Sequence, residues 1–218
     1  MKSVTLLLCS LGLFAQHDAG PRELFFFKKP LPSIASSQPI RVPVGLRYSI
    51  LRRNEAGRMA EVDAGGIFHQ GDRIRLQFTS NQDGYLYVVH QGSSGQWSLL
   101  FPTGAQDDYR LTEMRPLAVP QTGEIVFDAK PGAERLFIVG SRQRVESLER
   151  FIPGRKTVVG TITTAFLQAM NHSGKRDLRV EKVATPPGRA DAEFATYLVN
   201  AAGELSDRVM TEILLRHQ

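Results

Sequence analysis

Asp107 and Asp108 stand side by side, the arrangement that paired-carboxylate acid–base chemistry uses. Such a pair works only where burial or mutual repulsion drives the two proton affinities apart, and adjacent acids in a polar loop ordinarily face water. His69, His90 and His172 lie far apart in sequence, without an H-x-H or H-x-x-x-H pair, so structural histidines are the expectation and no metal is assigned. Gly154-Arg155-Lys156-Thr157 precedes a helical pattern, as the end of a phosphate-binding loop does. That loop needs a glycine where Glu149 stands, and Arg155 breaks its spacing. An ordinary helix start, with Arg155 and Lys156 available to an anion, is the plainer reading. Gly92-Ser93-Ser94-Gly95 lacks the spacing of a nucleophile elbow and fits a hairpin turn. Nothing points to a cofactor.

The densest aromatic group is Tyr85, Tyr87, Trp97, Phe101 and Tyr109. Tyr85 and Tyr87 share one face of their strand, and Trp97 follows in the expected neighbour. Left open, that face would stack on sugar rings, peptides or aromatic ligands; covered, it would be core. Tyr85, Tyr87, Trp97, Tyr109, Asp107, Asp108, Arg155 and Lys156 are therefore the candidate contacts for a ligand or partner.

These residues need a scaffold, and the stretch Gly71–Gly104 supplies its centre. Ile74, Leu76 and Phe78 alternate with polar residues, the period of a strand with one buried face. Turn residues follow at Ser80–Gly84. Tyr85–Val89 is apolar or aromatic throughout, as in a central strand covered on both faces. A second turn at Gly92–Gly95 leads into Trp97–Phe101, which Pro102 ends. Further strands are expected from Val44, over Arg58–Val62, Glu124–Phe127, Arg135–Val139, Leu178–Val183 and Phe194–Val199. Val209, Ile213 and Leu215 favour a last strand over a helix. Ala105–Leu117 reads as irregular. Val145, Leu148 and Ile152 mark a short helix closed by Pro153; Val158, Val159, Ile162, Phe166, Ala169 and Met170 mark a longer amphipathic one ending near Ser173-Gly174. The fold expected is mainly β: an antiparallel sandwich of eight or nine strands, with one helical insertion over about 143–172 packed on a sheet.

Composition sets the outer limits. At 42% hydrophobic and 22% charged, the chain has ordinary globular usage. The net charge of +5 is spread among acids, without the basic stripe or reading module that nucleic acid requires. Lys2, the apolar run Val4–Phe14 and the small Ala15 have the layout of a signal peptide over residues 1–15, with no transmembrane segment once it is cleaved. Cys9, the one cysteine, would leave with it, so no disulfide is expected. Residues 16–43, rich in proline and serine, read as an arm or linker, except that Leu24–Phe27 is apolar enough to dock on the body. Residues 44–218 then form one β-rich domain, with C-terminal strands over 177–217.

Gly71-Asp72, Ser80-Asn81, Asp83-Gly84-Tyr85-Leu86-Tyr87 and Leu99-Leu100-Phe101-Pro102, followed in order by Val119-Pro120, Phe127, Pro131-Gly132 and Glu134-Arg135-Leu136, resemble the bacterial family called domain of unknown function 4384. The resemblance covers about residues 68–141. It implies a small β-rich module found in exported or envelope proteins or beside unrelated domains, with no catalytic residues to carry over.

The expected function is a non-catalytic exported module, periplasmic or extracellular, that binds or scaffolds a protein or cell-envelope component. Its contact surfaces would be the loops Gln91–Gln96 and Thr103–Met114. The alternatives are a hydrolase-like enzyme using Asp107, Asp108 or His90, and an assembly subunit docking through the arm or the helix. A concave pocket that brings a histidine and a carboxylate into hydrogen-bond reach would favour the enzyme.

Overall fold

The alternation in residues 73–80 has a direct structural outcome. Ile74, Leu76 and Phe78 are almost wholly buried, and the strand pairs antiparallel with a neighbour whose Ile50 faces Leu76. The computed structural model describes residues 19–26, 42–92, 94–155, 160–174, 177–185, 193–201 and 207–218. Among these are thirteen strands: β1 (Val44–Arg53), β2 (Met59–Val62), β3 (Ile67–Phe68), β4 (Arg73–Ser80), β5 (Gly84–Gln91), β6 (Trp97–Phe101), β7 (Arg110–Leu111), β8 (Leu117–Val119), β9 (Ile125–Val126), β10 (Gly132–Ser141), β11 (Leu178–Ala184), β12 (Phe194–Asn200) and β13 (Arg208–His217). Three helices accompany them: α1 (Pro21–Phe25), α2 (Glu146–Glu149) and α3 (Thr164–Gly174).

The protein is mainly β, as expected, in two sheets facing one another. The first runs β11-β12-β1-β4-β8, with β2 beside β1 and β9 beside β4; the second runs β3-β13-β10-β5-β6, with β7 beside β5. All pairings are antiparallel except β3 with β13. The strand count exceeds the eight or nine expected because of β3 and β7, with two residues each, and β8, with three; β9 falls within the strand expected over Glu124–Phe127. Segments so short carry no readable period. β7 and the first residue of β8 fall within Ala105–Leu117, the stretch that reads as irregular.

Residues 80–84 join the two sheets. Asn81 accepts a bond from the Gly45 amide (2.8 Å) and donates to the Pro43 carbonyl (2.9 Å), fastening the crossover to the start of β1. Gly84 admits no side chain, since a Cβ there would lie 2.3 Å from the Ser141 carbonyl oxygen. β5 then runs between β10 and β6, with Leu86, Tyr87, Val88 and Val89 fully buried. β13 is a strand, and it pairs with β10 along its whole length, Gly132 against His217 through Ser141 against Arg208.

The outer face of the second sheet is covered by the helical segment. Val145, Leu148 and Ile152 are buried around α2, as their spacing predicts, and α3 packs on β13. The longer helix begins later than its apolar stripe suggested. Gly160 holds φ +91° and Ile162 forms a β-bridge with Trp97, so the helix starts at Thr164. Its buried face is Leu167 and Met170, with Phe166 half-buried; Ala169 faces solvent. Val158 and Val159 lie outside the described residues.

The first sheet is covered by α1, which Pro21 starts with its fixed φ. Phe25 is buried in a second cluster with Ala195, Tyr197 and Val199, so this part of the arm docks on its own body. A charged clamp holds it there. Glu193 accepts from the Tyr197 hydroxyl (2.7 Å) and Arg47 (3.0 Å) and pairs with Arg22 (3.1 Å). Burial pushes the Glu193 carboxyl up, but these hydrogen bonds and the Arg47 and Arg22 charges outweigh it and hold the group below its ordinary range. A carboxylate whose folded-state affinity for protons is depressed gives stability that is complete above its unfolded value of 4.5 and fades as pH falls through the lower folded value. Thermal melts between about pH 7 and about pH 3 should therefore show the natural chain losing more stability than Glu193→Gln below about pH 4.5. Parallel curves would show that the clamp contributes nothing.

Candidate functional site

Three of the eight residues singled out by sequence meet at one carboxylate that sequence reasoning passed over. Tyr87 donates its hydroxyl to Glu149 and accepts the Val145 amide (3.1 Å). The Tyr109 hydroxyl reaches both Glu149 oxygens (2.9 and 3.1 Å) and accepts from Arg155 (2.8 Å), whose other nitrogen pairs with Glu149. Burial first, then the bond to Glu149, pushes both phenols up from their ordinary range. Glu149 is buried beside Leu148 because α2 turns it, four residues after Val145, toward the sheet. An acid on the apolar face of a short helix was the signal for it in the sequence.

Every polar atom named in this cluster has a partner, which is how a buried ionic network fixes an element in place. Tyr87 and Tyr109 are core, so they offer no stacking platform; half-buried Tyr85 lies under the Arg144 guanidinium at 5.4 Å. Trp97 is buried apart from them, donating to the Thr164 hydroxyl (3.0 Å) with Arg135 over its ring. Its role is to seat the first turn of α3.

Asp107 and Asp108 do not act as a pair. Asp107 accepts from the Thr103 hydroxyl and amide (both 2.6 Å) and the Gly104 amide (3.2 Å), and the Thr103 hydroxyl bond leads in holding it below the carboxylate range. It is a turn-fixing acceptor. Asp108 is 69% exposed beside Arg110. Lys156 lies outside the described residues, as do residues 1–15 and most of the arm.

A different group gathers at one open end of the sandwich. His90 on β5 hydrogen-bonds Glu134 on β10, and His217 Nε2 on β13 lies 3.8 Å from the other Glu134 oxygen. They line a cavity of about 180 Å³ whose remaining wall is largely apolar, with Leu100, Ile125, Val126, Phe127, Leu136 and Leu215, and with Asp128 beside them. The register explains the convergence. Leu136 pairs with His90, and Glu134 stands opposite Leu215, so the inward faces of three adjacent strands end together. His217 is buried against the Phe127 ring (5.1 Å), and its Nδ1 has no hydrogen-bond partner. Sequence reasoning named His90 alone of this group as chemistry-bearing. The continuation of the inward pattern Val209, Ile213, Leu215 to His217 was the available signal. Among the described residues no group of three or more His, Cys, Asp or Glu is arranged to hold a metal ion.

The strands of this cavity carry the Gly-Tyr-Leu-Tyr and Leu-Phe-Pro segments in β5 and β6. Residues 67–144 match the family model Domain of unknown function (DUF4384). No curated protein and no solved structure matches the chain significantly. The matched segment contains β3 through β10, while β1, β2 and β11–β13 come from outside it. Both polar clusters straddle that boundary. His90 and Glu134 belong to the DUF4384 segment and His217 does not; Tyr87 and Tyr109 belong to it, and Glu149 and Arg155 do not.

Proposed function

We propose that this protein is an exported, non-catalytic binding or scaffolding module of the bacterial cell envelope, and that its ligand enters the open end of the sandwich. The observation that supports this is the contrast between the two polar clusters. The hydroxyl and carboxylate atoms of the Glu149 network are partnered with one another beside an open, polar hollow lined by Arg144 and Arg150, whereas the His90–Glu134–His217 group sits in an apolar-walled cavity, with the buried His217 Nδ1 unpartnered. Apolar concavities with a few convergent polar groups are the usual form of a ligand site. No helix of the described residues is long and apolar enough to cross a membrane.

One observation favours a second reading, an enzyme. The cavity does bring a histidine and a carboxylate within hydrogen-bond reach, the geometry of a general base with its orienting acid. Among the described residues the lining offers no hydroxyl, thiol or amine, so such chemistry would rest on water activated by His90 or on a carboxylate. Two measurements separate the readings. Incubation with cell-wall fragments and envelope extracts at low salt should retain a component on the purified protein; retention of nothing would overturn the binding proposal. Turnover of ester, phosphate or glycoside substrates that disappears in His90→Ala would replace it with catalysis.

A further inference from the structure

We infer that the end cavity takes a small organic cation, a ring-sized apolar body carrying one protonated amine. This rests on the binding reading and specifies its ligand class. The size fits: an apolar cavity of roughly 150 Å³ holds benzene, and this one measures about 180 Å³.

The charge of the ligand follows from the donors and acceptors in the wall. Glu134 already takes the His90 ring proton, so His90 Nε2 has no donor left for a ligand. His217 turns Nε2 toward the other Glu134 oxygen, which favours the tautomer protonated there and leaves Nδ1 a bare lone pair. Asp128, at the same wall, accepts the Lys130 amide through Oδ1 and keeps a second carboxylate oxygen. Among the described residues neither Glu134 nor Asp128 is ion-paired with a lysine or arginine. Glu134 and Asp128 therefore give the side chains of the wall carboxylate acceptors and negative charge, with the His217 Nδ1 lone pair buried behind them. A carboxylate or phosphate would meet repulsion from these two carboxylates; an ammonium supplies three hydrogens for them to accept. The apolar side, Phe127, Leu136 and Leu215, receives the body of the ligand. Val126, at the rim and 48% exposed, marks the mouth.

The test is calorimetric titration of the full chain at neutral pH with benzylamine, benzyl alcohol and benzoate. Benzylamine should bind, with benzoate at least about tenfold weaker, and Glu134→Gln should weaken benzylamine by about tenfold. Val126→Trp, on an exposed position whose change leaves the core intact, should block benzylamine by covering the mouth. Benzoate binding as well as benzylamine, unchanged benzylamine affinity in both variants, or no binding by any probe would each overturn the inference. An envelope component still retained by a protein that ignores benzylamine would refute the cation site and leave the binding module standing. Loss of envelope retention by the natural chain refutes the module itself.

Discussion

Removing residues 207–218 is expected to abolish cooperative folding. β13 forms a ten-residue ladder with β10 and carries β3 on its other edge. It also places Val209, Met210, Ile213 and Leu215 in the core, each no more than 5% exposed. At about 1.5–3 kcal/mol for each buried aliphatic side chain, the four contribute on the order of 6–12 kcal/mol. Typical total stability is about 5–15 kcal/mol, so little remains once the strand is gone. The shortened chain should lose near-ultraviolet circular dichroism and the dispersion of its amide proton spectrum. A sharp melting transition in that chain would show that β13 is an accessory. The same argument applies to the DUF4384 segment alone. Residues 67–144 lack the strand between β4 and β12 and the strand between β3 and β10, so this segment should not fold by itself.

The second large effect belongs to Glu149. Glu149→Ala removes the acceptor shared by Tyr87, Tyr109 and Arg155 while leaving all three in place. Breaking one side of a buried charged network costs about 3–5 kcal/mol, because the remaining partners stay buried and unpaired. Glu149→Gln keeps an acceptor oxygen and should cost less. Replacing Glu149 and Arg155 together with methionine should recover part of the loss, since no uncompensated charge remains. Urea unfolding midpoints measure all three. A loss below about 1 kcal/mol for Glu149→Ala would place this network among ordinary surface ion pairs.

Local patterns reveal part of this molecule and non-local pairing decides the rest. β4, β5, β6 and β13 are legible because alternation, or a continuous apolar run, repeats over five residues or more. The two-residue β3 and β7 are not, since pairing with longer neighbours creates them. The sheet change between β4 and β5 is equally hidden. The turn residues Ser80–Gly84 suit a hairpin, and only the reach of Asn81 to Gly45 and Pro43 shows a crossover. The onset of α3 lies later than the apolar stripe suggests, because the stripe spans Gly160, whose positive φ is incompatible with a helix there.

The candidate sites follow the same logic. Tyr87, Tyr109 and Arg155 attract notice as an aromatic group and a broken phosphate-loop motif, yet what unites them is a carboxylate on a neighbouring helix. His90 is conspicuous as a histidine. Its association with Glu134 and His217 follows from strand register, which brings residues 44 and 127 positions further along the chain to one end of the sheet. The acids Asp107 and Asp108 are adjacent in sequence and diverge in space, one fastening a turn and the other facing solvent.

Amide hydrogen exchange of the full chain, with and without the envelope fraction it retains, tests the end cavity as the binding site most directly. Added protection should fall on residues 88–91, 125–128, 132–136 and 213–217, where the inward faces of the strands converge around His90, Glu134 and His217. Protection confined to residues 144–155, or no change at the cavity when the fraction is bound, would contradict the account.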